Sequence, residues 1–470
     1  LVGSEMCIRD SSNIDTGNVP VSDATIEKIE DDDDEPVRIV EWDGDDRELA
    51  LNWNVWFRIY LTILIGILTI NTAFVSSAPS MLSSRMTMYF GVSSEVIKVA
   101  VFVYVGGFCL GPILWAPLSE LFGVRWNFIL STAGMTLFNM ACGLAPNIGA
   151  LIVLRFLAGT FASSSLAVGG GCIAHLWSKN WLGVGMAAFS SAPSIGPSLG
   201  PLVGGWISVS GATWKWIFWG CTIFSGTCCA VSFLTLPETN PNYTLKKKAR
   251  RLRMETGDDR YKAPIELRVI KPRELVSRWL LLPILMLLFE PMLQAITLYM
   301  AFVYGLLYLF FDAYPVVFAE IHGMNGVQTG LAFIGLLVGN LLGCAVYIFY
   351  ENPRYMRKAA RLPEGIYPKP EERLMSAIYG APVLVISLFW FAWTSKYVNV
   401  WAPICGGGFF GTAFFFIYFS LMTYLADAYR EKTASALSVN TAVRSSFGVG
   451  FPLVRVCFYL LTVVCNSNVP

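Results

Sequence analysis

The sequence predicts an all-α integral membrane protein built from two successive groups of helices, and three observations carry that prediction. Only 14% of the 470 residues are charged and 55% are hydrophobic, against roughly a quarter charged in a soluble protein. Hydrophobic runs of bilayer-crossing length recur near residues 57–79, 97–118, 127–147, 150–174, 181–207 and 216–236. After a polar stretch they resume near 292–316, 328–350, 375–394, 400–424 and 434–454. With the amino terminus inside, 22 Lys and Arg fall on the inward side of these runs and 5 on the outward side, the bias of a multi-pass protein.

Ahead of the first run, residues 1–50 are polar and acidic, with Asp31, Asp32, Asp33, Asp34 and Glu35 in a row, and are expected to be disordered. Leu1–Asp10 is read as an extraneous leader with no structural meaning. Residues 51–237 carry the first six spans. Residues 238–279 form a basic cytoplasmic linker, part helical and lying at the membrane surface; the sequon Asn242-Tyr243-Thr244 is rejected because it faces inward. Residues 280–470 carry five clear spans, with 280–289 as an interfacial lead-in to the seventh. The run 456–464 is too short to cross by itself, so a twelfth span is missing or aberrant and the carboxyl end reads as truncated or misread.

A net charge of +1 excludes a nucleic-acid binder working by bulk electrostatics. Eight of the eleven cysteines, Cys109, Cys142, Cys172, Cys221, Cys228, Cys229, Cys344 and Cys405, sit in apolar runs without CxxC spacing and read as small hydrophobes. The two histidines, His175 and His322, are far apart, and no nucleophile elbow or phosphate-cradling loop occurs. No metal, no cofactor and no enzyme activity are expected.

The densest pattern is PSIGPSLGPLVGG, Pro193 to Gly205, inside the fifth span. Pro193, Pro197 and Pro201 share one stripe, and Gly196, Gly200 and Gly204 the next. Each proline removes a helical hydrogen bond, and the glycines admit a second backbone. The pattern reads as a bent, tightly packed joint, with a motionless packing seam as the alternative. Glu120, Gly123 and Arg125 form a short charged turn between the second and third spans, which reads as a gate or as a simple turn. Arg155 and Arg444 lie within spans and are functional candidates by default, against structural ion pairs. Glu290 and Asp312 stand near opposite ends of the seventh span, so no carboxylate sits clearly at mid-depth. Asn71, Tyr299, Tyr304 and Asn340 are candidates to line a cavity and, taken singly, read as well as packing residues.

On these pieces the chain resembles the fungal drug:proton antiporter family of twelve-span major facilitator transporters, in its multidrug and polyamine branch. The resemblance rests on GPILWAPLSELFGVRW (111–126), RFLAGTFASSSLAVGGGCIA (155–174), SIGPSLGPLVGGWI (194–207), LPETNP (236–241) and YLADAYREKTASALSVNTAVRSSFG (424–448). It implies two six-helix bundles with inverted repeats, and export of hydrophobic or cationic compounds, drugs or polyamines, against inward protons. It further implies a gating role for Glu120, Gly123 and Arg125, proton coupling at Arg155, and an antiporter signature at Gly196, Pro197, Gly200, Pro201, Gly204 and Gly205. Glu290, Asp312 and Arg444 join Arg155 as proton-coupling candidates. Val124 stands where the loop motif usually has a base, and His175 where the family usually has an acid. The expected partners are a small molecule, protons and the bilayer, with no nucleic acid, and the expected state is a monomer in the plasma membrane or, alternatively, the vacuolar membrane. The rival readings are a nutrient uniporter or symporter of the same fold, and a non-transporting truncated membrane protein.

Overall fold

The computed structural model describes residues 38–42, 46–267, 282–361, 363, 368–429 and 433–466. Eleven long helices follow the predicted runs: Val55–Ser77, Ser94–Phe122, Val124–Gly143, Ile148–Leu176, Lys179–Val209 and Lys215–Thr235, then Pro291–Tyr314, Gly326–Val346, Met375–Tyr397, Trp401–Tyr429 and Thr433–Asn466. We number them as spans one to eleven in chain order; among the described residues, eight helices are long and apolar enough to cross a membrane. Their ends carry the expected signals. Asn54 and Asn147 cap the first and fourth through their side chains. Asn325 and Gln328 form a reciprocal capping box on the eighth. Gly123, at φ +85°, turns the second span into the third, a backbone conformation that other residues rarely adopt.

The fifth span stays one helix of 31 residues through its three prolines. Part of the reason lies in the first span, where Ser77 Oγ donates to Pro197 O at 2.9 Å, the carbonyl that Pro201 leaves without a helical donor. The first span breaks at Pro79 into a short 3-10 turn and the helix Ser83–Phe90.

Packing follows a shift of six. Span 1 packs on span 5 as span 7 packs on span 11, span 2 on span 4 as span 8 on span 10, and span 3 on span 4 as span 9 on span 10. Across the halves, span 5 lies on span 8 and span 2 on span 11. Span 3 also packs on span 6, and among the described residues no helix stands in the matching place beside span 9. The eleventh helix runs on to Asn466 as one piece of 34 residues, so the weak run at 456–464 extends that helix. One apolar cluster crosses both halves, with Phe102 and Phe108 from the first and Tyr308, Phe311 and Phe414 from the second. Leu114, Leu137, Ile223, Phe302 and Leu341 point outward, as expected of surface in contact with lipid.

One expectation needs correcting. Within the tail expected to be disordered to residue 50, residues 38–42 and 46–50 are structured. Arg38 and Ile39 pair in parallel with Tyr261 and Lys262, and Val40 packs with Leu245, Ala249 and Ala263. Lys248 pairs with Asp46 at 2.6 Å and Arg251 with Glu48 at 2.7 Å. The linker helix Pro241–Thr256 supplies this surface, with Asn240 as its cap, proline first and Gly257 in the left-handed conformation at its end. A polar, acidic stretch is ordered here because a basic helix satisfies it. Residues 1–37 and 43–45 lie outside the described residues, as do 268–281 of the linker.

Candidate functional site

The midline of the molecule is built by two buried arginines and the tyrosines between them. Arg155, fully buried on span 4, donates to Val75 O at 3.0 Å, Ser76 O at 3.2 Å and Val101 O at 2.9 Å. Val75 O is the carbonyl that Pro79 deprives of its helical donor. The guanidinium carbon also lies 4.5 Å from the Tyr104 ring. A cation at such a depth costs roughly 2.5–3.5 kcal/mol or more, and hydrogen bonds from a charged group return roughly 1.5–3 kcal/mol each. Three carbonyls and a ring face are therefore enough to hold it.

Ser76, whose carbonyl Arg155 holds, shares a 3.0 Å hydroxyl–hydroxyl hydrogen bond with Tyr308 of span 7. That bond crosses from one half to the other. Tyr304, one turn earlier, has its ring 5.2 Å from that of Tyr308. Arg444 of span 11 lies beyond it, 1% exposed, with its guanidinium 5.3 Å from the Tyr304 ring and 5.0 Å from the Tyr418 ring. Arg444 Nη1 donates to Tyr418 Oη at 2.6 Å and lies 4.0 Å from Met422 Sδ. Among the described residues, these two arginines are the only buried charged side chains. The alternative of structural ion pairs finds no carboxylate partner for either one among the described residues.

The glycine stripe is a contact surface on both sides. A Cβ at Gly196 would meet Ile70 O at 2.5 Å and Ala73 Cβ at 2.6 Å, and one at Gly204 would meet Ala78 O at 2.6 Å. Gly200 faces Ser77 and Ala78, all on or just past span 1. Gly205 instead faces Gly326 of span 8, and a Cβ on Gly330 would lie 2.8 Å from Pro201 O. Pro197 belongs to the first contact through its carbonyl. The signature residues thus wedge span 5 between its own half and the other.

At the linker end of spans 2 and 3, Gly123 and Arg125 meet a carboxylate that sequence reasoning passed over. Glu238, in the LPETNP stretch, accepts from the backbone N–H groups of Val124 at 2.9 Å, Arg125 at 3.2 Å and Asn240 at 2.9 Å. It caps span 3 where the helix dipole favours an anion. Arg125 itself donates to Phe233 O at 3.2 Å. Glu120 stands in the same turn, at the end of span 2. An acid immediately after an apolar run and before Thr-Asn-Pro was the available signal.

The remaining candidates separate. Asp312 lies at the far end and pairs with Lys98 of span 2 at 3.5 Å, again across the halves. Glu290 is at the opposite end of span 7 as its N-terminal cap residue. Of the four cavity candidates only Tyr304 joins the midline. Tyr299 is 36% exposed on the outer surface, because five residues along a helix turn a side chain by about 140°. Asn71 accepts from Ser225 at 3.2 Å, inside the first half. Asn340 is buried in the second half where span 8 crosses span 10, with both amide atoms unpartnered among the described residues. His175 sits at the end of span 4 and is half-buried.

The comparisons agree with this architecture. Residues 62–452 match the profile described as Major Facilitator Superfamily. The chain is 37% identical over 435 residues to the MFS-type efflux pump MFS2 of Trichophyton rubrum, covering 92% of this chain and 72% of that one. It is 35% identical to the citrinin biosynthesis cluster MFS transporter mrr1 of Monascus ruber, covering 90% and 85%, and 35% identical to polyamine transporter 3 of Saccharomyces cerevisiae, covering 91% and 68%. Among solved structures, the xylose transporter XylE of E. coli in a partially occluded inward-open conformation superposes with a TM-score of 0.58 at 13% identity, over 85% of this chain and 93% of that one.

Proposed function

We propose, for a chain that belongs to the Major Facilitator Superfamily, that it exports hydrophobic organic compounds against an inward flow of protons by alternating access. The observation that carries this reading is the way the halves meet. Two groups of spans related by a shift of six touch along spans 5 and 8 and spans 2 and 11, with Ser76–Tyr308 and Lys98–Asp312 among the few polar ties between them. Such an interface can part at one end while the other stays closed.

In this reading the Pro/Gly stripe of span 5 is the joint on which the halves rock. Gly123 and Arg125, with Glu120 in the same turn and Glu238 as the cap, form the latch at the linker end. Arg155 fixes the first half's side of the midline. Protons act at the far end. There the Lys98–Asp312 ion pair is the tie between the halves on which they act in this reading. The Lys and Arg distribution supports a cytoplasmic tail and linker. We assign the protein to the plasma membrane, where export leaves the cell, as a monomer.

The test is transport of a hydrophobic dye by purified protein in proteoliposomes under an imposed pH gradient. Gradient-driven dye movement is the expected result. Movement that persists unchanged when the gradient is collapsed removes the proton coupling, and no movement through correctly inserted protein removes export.

A further inference from the structure

Arg155 and Arg444 are equally buried, yet their hydrogen bonding differs. Arg155 spends its donors on three backbone carbonyls. Arg444 has one hydrogen bond to a hydroxyl and one long contact to sulfur, both from Nη1; its Nε is buried without a partner, as is that of Arg155. One turn earlier on the same face, Asn440 places its amide nitrogen 3.4 Å from Thr297 Oγ1 and 3.3 Å from Met300 Sδ, while its Oδ1 is also unpartnered. The same face continues to Gly448, where an added Cβ would meet the rings of Tyr304 and Tyr308 at 3.2 Å.

We propose that Arg444 is the binding site for the carboxylate of a hydrophobic organic anion. A buried guanidinium with unused donors favours a ligand that supplies both charge and acceptors, and a carboxylate matches its fork. The flanking faces of Tyr304 and Tyr418 suit an aromatic or flat body attached to that carboxylate. An amine in the same place meets a like charge in a low-dielectric interior with no buried acid among the described residues to offset it. Arg444 is 1% exposed in this closed arrangement, so the ligand reaches it only when the halves part. The inference deepens the export reading and rests on it for this route of entry, while binding itself can be read without transport.

The experiment measures binding to the purified full chain with three probes on one scaffold: 1-naphthylacetate, 1-naphthylmethylamine and 1-naphthylethanol, with sodium chloride titrated separately. Ligand-induced thermal stabilisation is expected to be saturable for the carboxylate and at least about tenfold weaker for the amine and the alcohol. Arg444→Lys keeps the charge and is expected to retain part of the preference, whereas Arg444→Gln loses it. If Arg444→Gln fails to fold, the head-group comparison in the natural protein and in Arg444→Lys still decides. Equal stabilisation by all three head groups, or tighter binding of the amine, overturns the assignment. Stabilisation by chloride that the carboxylate neither displaces nor exceeds overturns it in favour of an inorganic-anion site. Carboxylate binding with no export in proteoliposomes would keep this site and remove the transport reading.

Discussion

Gly196→Ala is the smallest change that tests whether span 5 is held by close backbone approach. The new methyl would lie 2.5 Å from Ile70 O, 2.6 Å from Ala73 Cβ and 2.8 Å from Phe74 N, where ordinary contact begins at 3.4 Å. Two of these three are backbone atoms of span 1, so no rotamer relieves the overlap, and the helices must part by about 0.9 Å. Overpacking of this kind costs roughly 1–3 kcal/mol. Parting by that much also stretches the 2.9 Å bond from Ser77 to Pro197 O, worth about 1 kcal/mol more. Gly66→Ala, on span 1 itself, is the control, since a Cβ there meets nothing within 4 Å and is expected to be neutral or to stabilise by roughly 0.5–1 kcal/mol. The assay is thermal unfolding of both variants in detergent, with dye export alongside. Gly196→Ala is expected to unfold several degrees below the parent and to lose most of its export. Unfolding of the two variants at the same temperature would refute the close-contact argument.

Three other outcomes follow from the geometry. Ser76→Ala and Tyr308→Phe, alone and together, are expected to show a coupling of about 0.5–1.5 kcal/mol in a thermal-stability cycle, and additivity would remove the bond between the halves. Glu238→Ala takes the acceptor from the N–H groups of Val124 and Arg125 and is expected to cost about 1–2 kcal/mol, whereas Glu238→Gln should keep part of the cap; hydrogen exchange at the start of span 3 reads the difference. The tail is expected to undock in acid. Hydrogen bonding from Lys248 holds the Asp46 carboxyl below its usual range, Arg253 does the same for Glu266, and Arg260 holds Asp258 at about 2. Carboxylates lowered in the folded state stabilise it fully above their unfolded values and lose that contribution as pH falls through the folded ones. Protease resistance of residues 38–53 should therefore be flat above about pH 5 and fall below about pH 4.

The long helices were legible because each has to satisfy its backbone inside lipid with an apolar run long enough to cross, and their packing repeats with a shift of six. Tyr299 was avoidable, since its separation from Tyr304 already puts the two on different faces. Glu238 and the tail were not legible in the same way. The first becomes a cap only once span 6 brings it beside Gly123. The second depends on a parallel pairing across more than two hundred residues, which no local pattern encodes. Arg155 and Arg444 were visible as buried charges, but their difference was hidden, because it lies in the partners the fold supplies: three backbone carbonyls for the one and a tyrosine hydroxyl for the other.

That difference bears on how the halves can move. Neighbouring helices in lipid gain little from hydrophobic burial, so small-residue seams hold by contact and by the few polar bonds that cross them. At the far end, parting the halves separates Gly205 from Gly326 and Pro201 from Gly330 and breaks the Lys98–Asp312 pair. One turn further in it breaks Ser76–Tyr308. Polar contacts of roughly 0.5–1.5 kcal/mol each, with the weaker thiol contact from Cys109 to Ala442 O and the dispersion of a few glycine contacts, put the closed and open forms a few kcal/mol apart. A bound ligand with a modest preference for one form can shift an equilibrium of that size. Arg155 does not take part in the exchange, because its three acceptors all belong to its own half and travel with it. The moving element is the tyrosine pair, which is why its hydroxyl contact to Ser76 is the bond whose removal should open the protein most readily.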